Sequence, residues 1–142
     1  MPGAILRTGQ CACGAVRYEV VGEPRRVSVC HCKDCQRRTG SAFGIACYFL
    51  RASVRLLSGA TRTYERRSDA GRRVRLRFCE RCGTTVLWEA EVVPELVGIA
   101  AGTFDDTGWL APKLHVWARS AQGWVRFPED AEILDESNLG QR

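Results

Sequence analysis

The stretch Arg72-Arg73-Val74-Arg75-Leu76-Arg77-Phe78-Cys79-Glu80-Arg81-Cys82-Gly83 sets the reading of the whole chain. Its first half alternates: Val74, Leu76 and Phe78 fall on one side and Arg73, Arg75 and Arg77 on the other, the period of a half-buried strand. Its second half is a Cys-x-x-Cys-Gly turn. Such a turn brings two sulfurs to one side of a tight loop, and Gly83 permits the backbone conformation that aims amide N–H groups at thiolates. A strand that runs straight into a metal knuckle points to a β-rich protein organised around bound metal.

Working outward, the same pattern recurs in short pieces. Residues 14–21 alternate Val16, Tyr18 and Val20 against Arg17 and Glu19, with Cys11 and Cys13 at the entry of that strand. Arg26 to Val29 is a β-branched run leading into Cys30. Asp34 to Arg38 is expected to form a helical turn stopped by Gly40. Phe43 to Leu50, Val54 to Leu57, Thr61 to Glu65, Thr84 to Glu89, Glu95 to Ala101, Lys113 to Ala118 and Trp124 to Phe127 are further strand candidates between turn residues. No segment keeps a helical period over three turns, and no internal repeat is visible. The expectation is one mostly β domain over residues 1–142, with a tail that frays from about residue 135.

Seven of the eight cysteines lie in three tight clusters: Cys11 with Cys13, then Cys30, Cys32 and Cys35, then Cys79 with Cys82. Such spacing suits chelation better than disulfides between distant strands. The opening Met-Pro-Gly-Ala-Ile-Leu-Arg holds no apolar stretch of signal-peptide length, so a reducing, cytoplasmic setting is expected. No run approaches the roughly 18–20 apolar residues that span a bilayer, so no membrane partner is expected. The formal charge of +5 invites a nucleic-acid reading, yet seven ligand thiolates and two divalent ions bring it to about +2. The basic excess mostly balances the metal sites, and a nucleic-acid partner is disfavoured.

Zinc bound by thiolates is usually four-coordinate, and seven ligands divide into four and three. Cys11 and Cys13 form one bidentate arm and Cys79 and Cys82 another, which together make a closed tetrathiolate site. Iron satisfies four thiolates as well. Cys30, Cys32 and Cys35 share one loop and can cap a second ion as a tripod. Its fourth corner is open to several readings: an exogenous ligand; Cys47, which its apolar strand marks rather as a small core residue; or His115, a lone histidine among apolar residues. His31, flanked by ligands, must point elsewhere. Three thiolates leave zinc with a net charge of -1, a poor setting for acidifying water and a better one for holding a soft, deprotonated thiol. Glu89, Asp105 and Asp106 are carboxylates with no sequence signal placing them at the site.

The order Gly9-Gln10-Cys11-Ala12-Cys13-Gly14-Ala15-Val16, then Cys30-His31-Cys32-Lys33-Asp34-Cys35-Gln36-Arg37-Arg38-Thr39-Gly40-Ser41-Ala42-Phe43, then Phe78-Cys79-Glu80-Arg81-Cys82-Gly83-Thr84 resembles the glutathione-dependent formaldehyde-activating enzyme family, whose domain is shared with centromere protein V. Ala101 to Asp106 and the segment from His115 to Trp124 also look like that family, so the likeness runs from about residue 7 to 127. The resemblance implies an Mss4-like fold of small twisted antiparallel sheets and two zinc ions. It also implies a structural zinc on Cys11, Cys13, Cys79 and Cys82 and a catalytic one on Cys30, Cys32 and Cys35. The implied activity is a carbon–sulfur lyase of the S-(hydroxymethyl)glutathione synthase type, with glutathione or a related thiol and formaldehyde or another small aldehyde as partners. The competing expectation is a non-catalytic zinc-stabilised binding module that contacts a polyanion or a protein through Arg73, Arg75 and Arg77. Oligomeric state leaves no mark on the sequence.

Overall fold

Alternating apolar residues along short runs fold here into two sheets stacked face to face, described by a computed structural model over residues 4–68 and 70–140. The strands are β1 (Leu6–Gln10), β2 (Arg17–Val21), β3 (Arg26–Cys30), β4 (Gly44–Leu50), β5 (Val54–Ser58), β6 (Thr61–Arg67), β7 (Arg73–Cys79), β8 (Thr85–Ala90), β9 (Leu96–Ala100), β10 (Leu114–Val116) and β11 (Glu132–Ile133). One helix, α1 (Lys33–Thr39), lies between β3 and β4. A three-stranded sheet runs β1-β2-β5, and an eight-stranded sheet runs β11-β10-β3-β4-β9-β8-β7-β6. The mostly β, Mss4-like reading holds. The pairings are antiparallel except at β10, which runs parallel to both β3 and β11.

Alternation decides what each face of the large sheet does. Cys47, Phe49, Leu87, Val97 and Ile99 point toward the small sheet and bury against Val16, Tyr18 and Val20 in the main core. The opposite face carries Ser28, Ala46, Tyr48, Leu76, Trp88, Ala90 and Ala100, also buried. Neighbouring strands put small residues in the middle of that second face, where Ala46 pairs with Ala100 and Tyr48 with Gly98. Trp88 lies so close over Gly98 that a side chain there would collide with the indole. Small residues flanked by long ones hollow the face into a cavity.

Several local expectations changed. Trp124 to Phe127 forms turns and irregular backbone, not a strand, and the strand expected over Lys113 to Ala118 shortens to β10. Trp117 leaves it in the left-handed region with φ 55°, which ends the extended run. β1 was not foreseen, because Leu-Arg-Thr-Gly-Gln carries no apolar alternation; its ladder with β2 holds it in place. Residues 135–140, where fraying was expected, lie against the body: Asn138 Oδ1 accepts from Arg26 Nη1 at 2.6 Å, Trp117 donates its backbone N–H to the carbonyl of Glu136, and Leu139 packs on the second apolar cluster. Residues 141 and 142 fall outside the described part of the chain.

Candidate metal centres and the adjoining cavity

The first cluster forms where two knuckles meet. Cys11 and Cys13 follow β1, Cys79 ends β7, and Cys82 lies in the turn to β8; their four sulfurs lie within 4.8 Å of one another. Cys11 Sγ is 3.6 Å from Cys13 Sγ, and Cys13 Sγ is 3.8 Å from Cys79 Sγ. A tetrahedral ion with Zn–S bonds of ~2.3 Å requires sulfurs about 3.8 Å apart, and these two separations match it. Gly14 and Gly83 sit at φ 81° and 78°, closing the two turns. Val16 N–H donates to Cys11 Sγ and Arg81 N–H to Cys79 Sγ, each at 3.3 Å. The hydroxyl of Thr84, 3.2 Å from Cys82 Sγ, and then backbone N–H groups hold the Cys82 thiol down to about 5. Donors aimed at sulfur are what a cluster of thiolates needs.

The second cluster spans the end of β3 and the first turn of α1. Cys30, Cys32 and Cys35 bring three sulfurs within 4.8 Å of one another. Cys32 is the residue preceding the helix, and its sulfur accepts from Cys35 N–H at 3.3 Å. Its thiol is held far down, to about 2, by hydrogen bonds from Cys30 first and Cys35 second, with the Arg66 charge adding; the Cys30 thiol is pushed up by the same contacts. Three sulfurs this close cannot all carry charge unless a cation joins them, which is the electrostatic argument for a metal here.

The histidines are not in either cluster. His31 Nε2 and His115 Nδ1 form a buried hydrogen bond of 2.9 Å, with Phe127 against both rings and Phe43 against His31. Burial lowers the pKa of both, which favours the neutral imidazoles. His115, weighed as a distant fourth ligand, thus serves to anchor the loop that carries Cys30 and Cys32. Cys47 is fully buried in the main core, with its thiol pushed up to about 12 by burial.

The two clusters differ in what lies beside them. Cys30, Cys32 and Cys35 line a cavity of about 430 Å³ on the second face of the large sheet. Its charged lining includes Arg26, Arg38, Arg66, Arg72 and Arg73, with Asp34 and Glu136. Arg66 Nη1 pairs with Asp34 Oδ2 at 3.3 Å, and the Arg38 guanidinium lies 4.8 Å above the Trp88 ring. Arg26 lies on β3 four residues before Cys30 and is paired in register with Tyr48. Its Nε is buried with no partner, and burial pulls its pKa down.

Most of this cationic lining lies outside the alternating arginine strand. Of that row only Arg73 lines the cavity, and Glu91, Glu65 and Glu89 pair with Arg73, Arg75 and Arg77 at 3.8, 3.5 and 3.0 Å. Carboxylates thus pair with each arginine of that row, which weakens the case for a polyanion surface there. Glu89 also pairs with Arg51, Asp105 accepts from Thr8 and Asp106 from Gly108 N–H, all away from the cavity. Sequence reasoning missed Arg26, Arg66 and Asp34. Asp34 lay in view between Cys32 and Cys35; Arg26 and Arg66 depend on strand register, which spacing does not reveal.

The family model for the glutathione-dependent formaldehyde-activating enzyme matches residues 6–120. This chain belongs to that family. A crystal structure of a Rhodobacter sphaeroides protein is similar to it with a TM-score of 0.56 and 25% identity, covering 74% of this chain and 91% of that one. Family membership and two cysteine clusters that could each hold a metal ion fit a zinc-binding protein of the glutathione-dependent formaldehyde-activating type. Among the described residues, no helix is long and apolar enough to cross a membrane.

Proposed function

We propose that the protein binds glutathione or a related anionic thiol with its sulfur at Cys30, Cys32 and Cys35, and adds it to formaldehyde or another small aldehyde. The observation that carries this reading is the placement of the tricysteine cluster in the wall of a cavity otherwise rich in arginine. A closed structural site needs no cavity beside it. In this reading Cys11, Cys13, Cys79 and Cys82 hold a structural zinc, and Cys30, Cys32 and Cys35 hold the zinc at which thiol chemistry takes place. That zinc supplies a soft Lewis acid that favours the deprotonated form of an incoming thiol.

The chain's own residues supply position and exclusion. Arg26, in the cavity wall, offers its guanidinium for a charge-assisted hydrogen bond to a carboxylate of the ligand. Cys30 and Arg26 face the same side of β3 about 13 Å apart along the strand. A flexible arginine and an extended peptide thiol can close that distance from both ends. Tyr48 and Trp88 form the buried floor, joined by a hydrogen bond from Trp88 Nε1 to Tyr48 Oη at 3.2 Å, and keep water from one side of the bound thiol. In the addition itself a carbon–sulfur bond forms, the carbonyl π pair moves to oxygen, and the proton released by the thiol ends on that oxygen. The product is a hemithioacetal, and the reverse reaction is a carbon–sulfur lyase step.

The test is visible absorption of cobalt-substituted protein during a glutathione titration, with S-methylglutathione as the analogue that has no thiolate to offer. A saturable change in the sulfur-to-cobalt bands with glutathione alone supports the reading. No change with two metals bound overturns it.

A further inference from the structure

The cavity has a second character that neither a polar tripeptide thiol nor a one-carbon aldehyde uses. Beside the arginines, part of its wall is apolar: Val74 and Leu76 from β7, Trp88 and Ala90 from β8, Val92 from the turn after β8, and Leu139 from the segment after β11. Register makes this a continuous strip, since Leu76 pairs with Trp88 and Val74 with Ala90 on adjacent strands. Leu76, Trp88 and Ala90 are buried, and Val74, Val92 and Leu139 close over them. The strip continues past Tyr48 and Ala46 to Gly44, which pairs with Cys30. An apolar channel thus begins beside the tripod and ends under the C-terminal segment.

The geometry points to a substrate whose electrophilic half is larger than formaldehyde: an aldehyde bearing an alkyl or aryl chain of several carbons, its carbonyl at the tricysteine cluster and its chain along Val74, Leu76 and Leu139. This rests on the thiol-addition reading and assigns the other half of the same site. Arginines at the cavity wall take the anionic thiol, and the strip takes the carbon chain of the aldehyde and of the resulting hemithioacetal. A strip that bound nothing would leave apolar surface facing an empty cavity, whereas each methylene moved onto it from water adds favourably to binding. The addition balances as before: one carbon–sulfur bond is made, one carbonyl π bond is lost, and the thiol proton moves to oxygen.

Stable thioether analogues test this without requiring turnover. S-methyl-, S-butyl- and S-hexylglutathione are titrated by calorimetry into the metal-loaded protein. The expected result is affinity that rises with chain length, at least tenfold from methyl to hexyl. Two variants, Val74→Gln and Leu139→Gln, are both at partly exposed positions; each is expected to reduce that ratio below threefold while leaving the S-methyl analogue unaffected. Equal affinity along the series, absence of binding by all three, or a chain-length effect untouched by both variants would overturn the assignment. Failure of the thiol reading looks different: silent cobalt bands with glutathione, while affinity still climbs with chain length and falls in the two variants.

Discussion

The two cysteine clusters are made of the same ligand atom at similar spacing, yet they occupy opposite situations. In the first, four sulfurs from two strand ends surround a point completely, with Cys11 and Cys79 buried and backbone N–H groups aimed at the sulfurs. In the second, three sulfurs from one strand end and one helical turn cover a single side, and the other side is cavity. The first joins β1 to β7 and β8, elements from distant parts of the chain, so it ties topology together. The second is local in sequence. A ligand set that closes long loops is expected to stabilise the fold, whereas one drawn from six consecutive residues closes almost nothing, in keeping with the chemical role proposed for it.

The sharpest way to break this contrast is to exchange the damage. Cys79→Ser removes a ligand from the site that joins the sheets. Loss of metal there is worth on the order of 10 kcal/mol, as much as the whole stability of a typical domain. The variant is expected to be largely unfolded by circular dichroism, and a strong chelator should do the same to the parent. Cys32→Ser is expected to keep the β spectrum and one equivalent of metal by elemental analysis, while thiol affinity drops about 100-fold or more. If both variants unfold alike, the division into structural and open sites is wrong.

Smaller effects refine the second site. Arg26→Met should weaken glutathione about tenfold by calorimetry, the value of one charge-assisted hydrogen bond, with no loss of metal. His115→Phe leaves His31 buried without a partner and should cost about 1–3 kcal/mol in denaturant unfolding. The same pair sets a pH dependence. Both imidazoles titrate below their usual value in the folded protein, so the unfolded chain binds protons first as pH falls. Stability of the metal-loaded protein should therefore decline below about pH 6.5, with a shallower decline in His115→Phe. Last, Arg75→Gln should change unfolding free energy by less than about 0.5 kcal/mol and thiol affinity not at all, because its partner Glu65 lies on the exposed face.

What the sequence disclosed follows the same division. Ligand spacing is local, so all seven cysteines, the knuckle glycines and the helical turn at α1 were legible from residue order. Strand alternation around Val74, Leu76 and Phe78 was legible for the same reason. Which arginines matter was not. The conspicuous row at Arg73, Arg75 and Arg77 turned out to be matched by glutamates on β6, on β8 and in the turn after it, whereas Arg26 looked unremarkable until pairing set it in the same hollow as Cys30. Polar strands such as β1 and β11 escaped because their partners, not their own pattern, hold them extended. The single misplaced strand, Trp124 to Phe127, had the aromatic content of a strand but no neighbour to pair with.

The hydrogen bond from Arg26 to Asn138 bears on how the protein is handled at the bench. Glu136, Ser137, Leu139 and Gly140 form part of the cavity wall, so a change to this segment is a change to the site. A substitution or label at Asn138 that breaks this bond is expected to shift ligand measurements while leaving metal content normal, so labels are better placed away from residues 136–140.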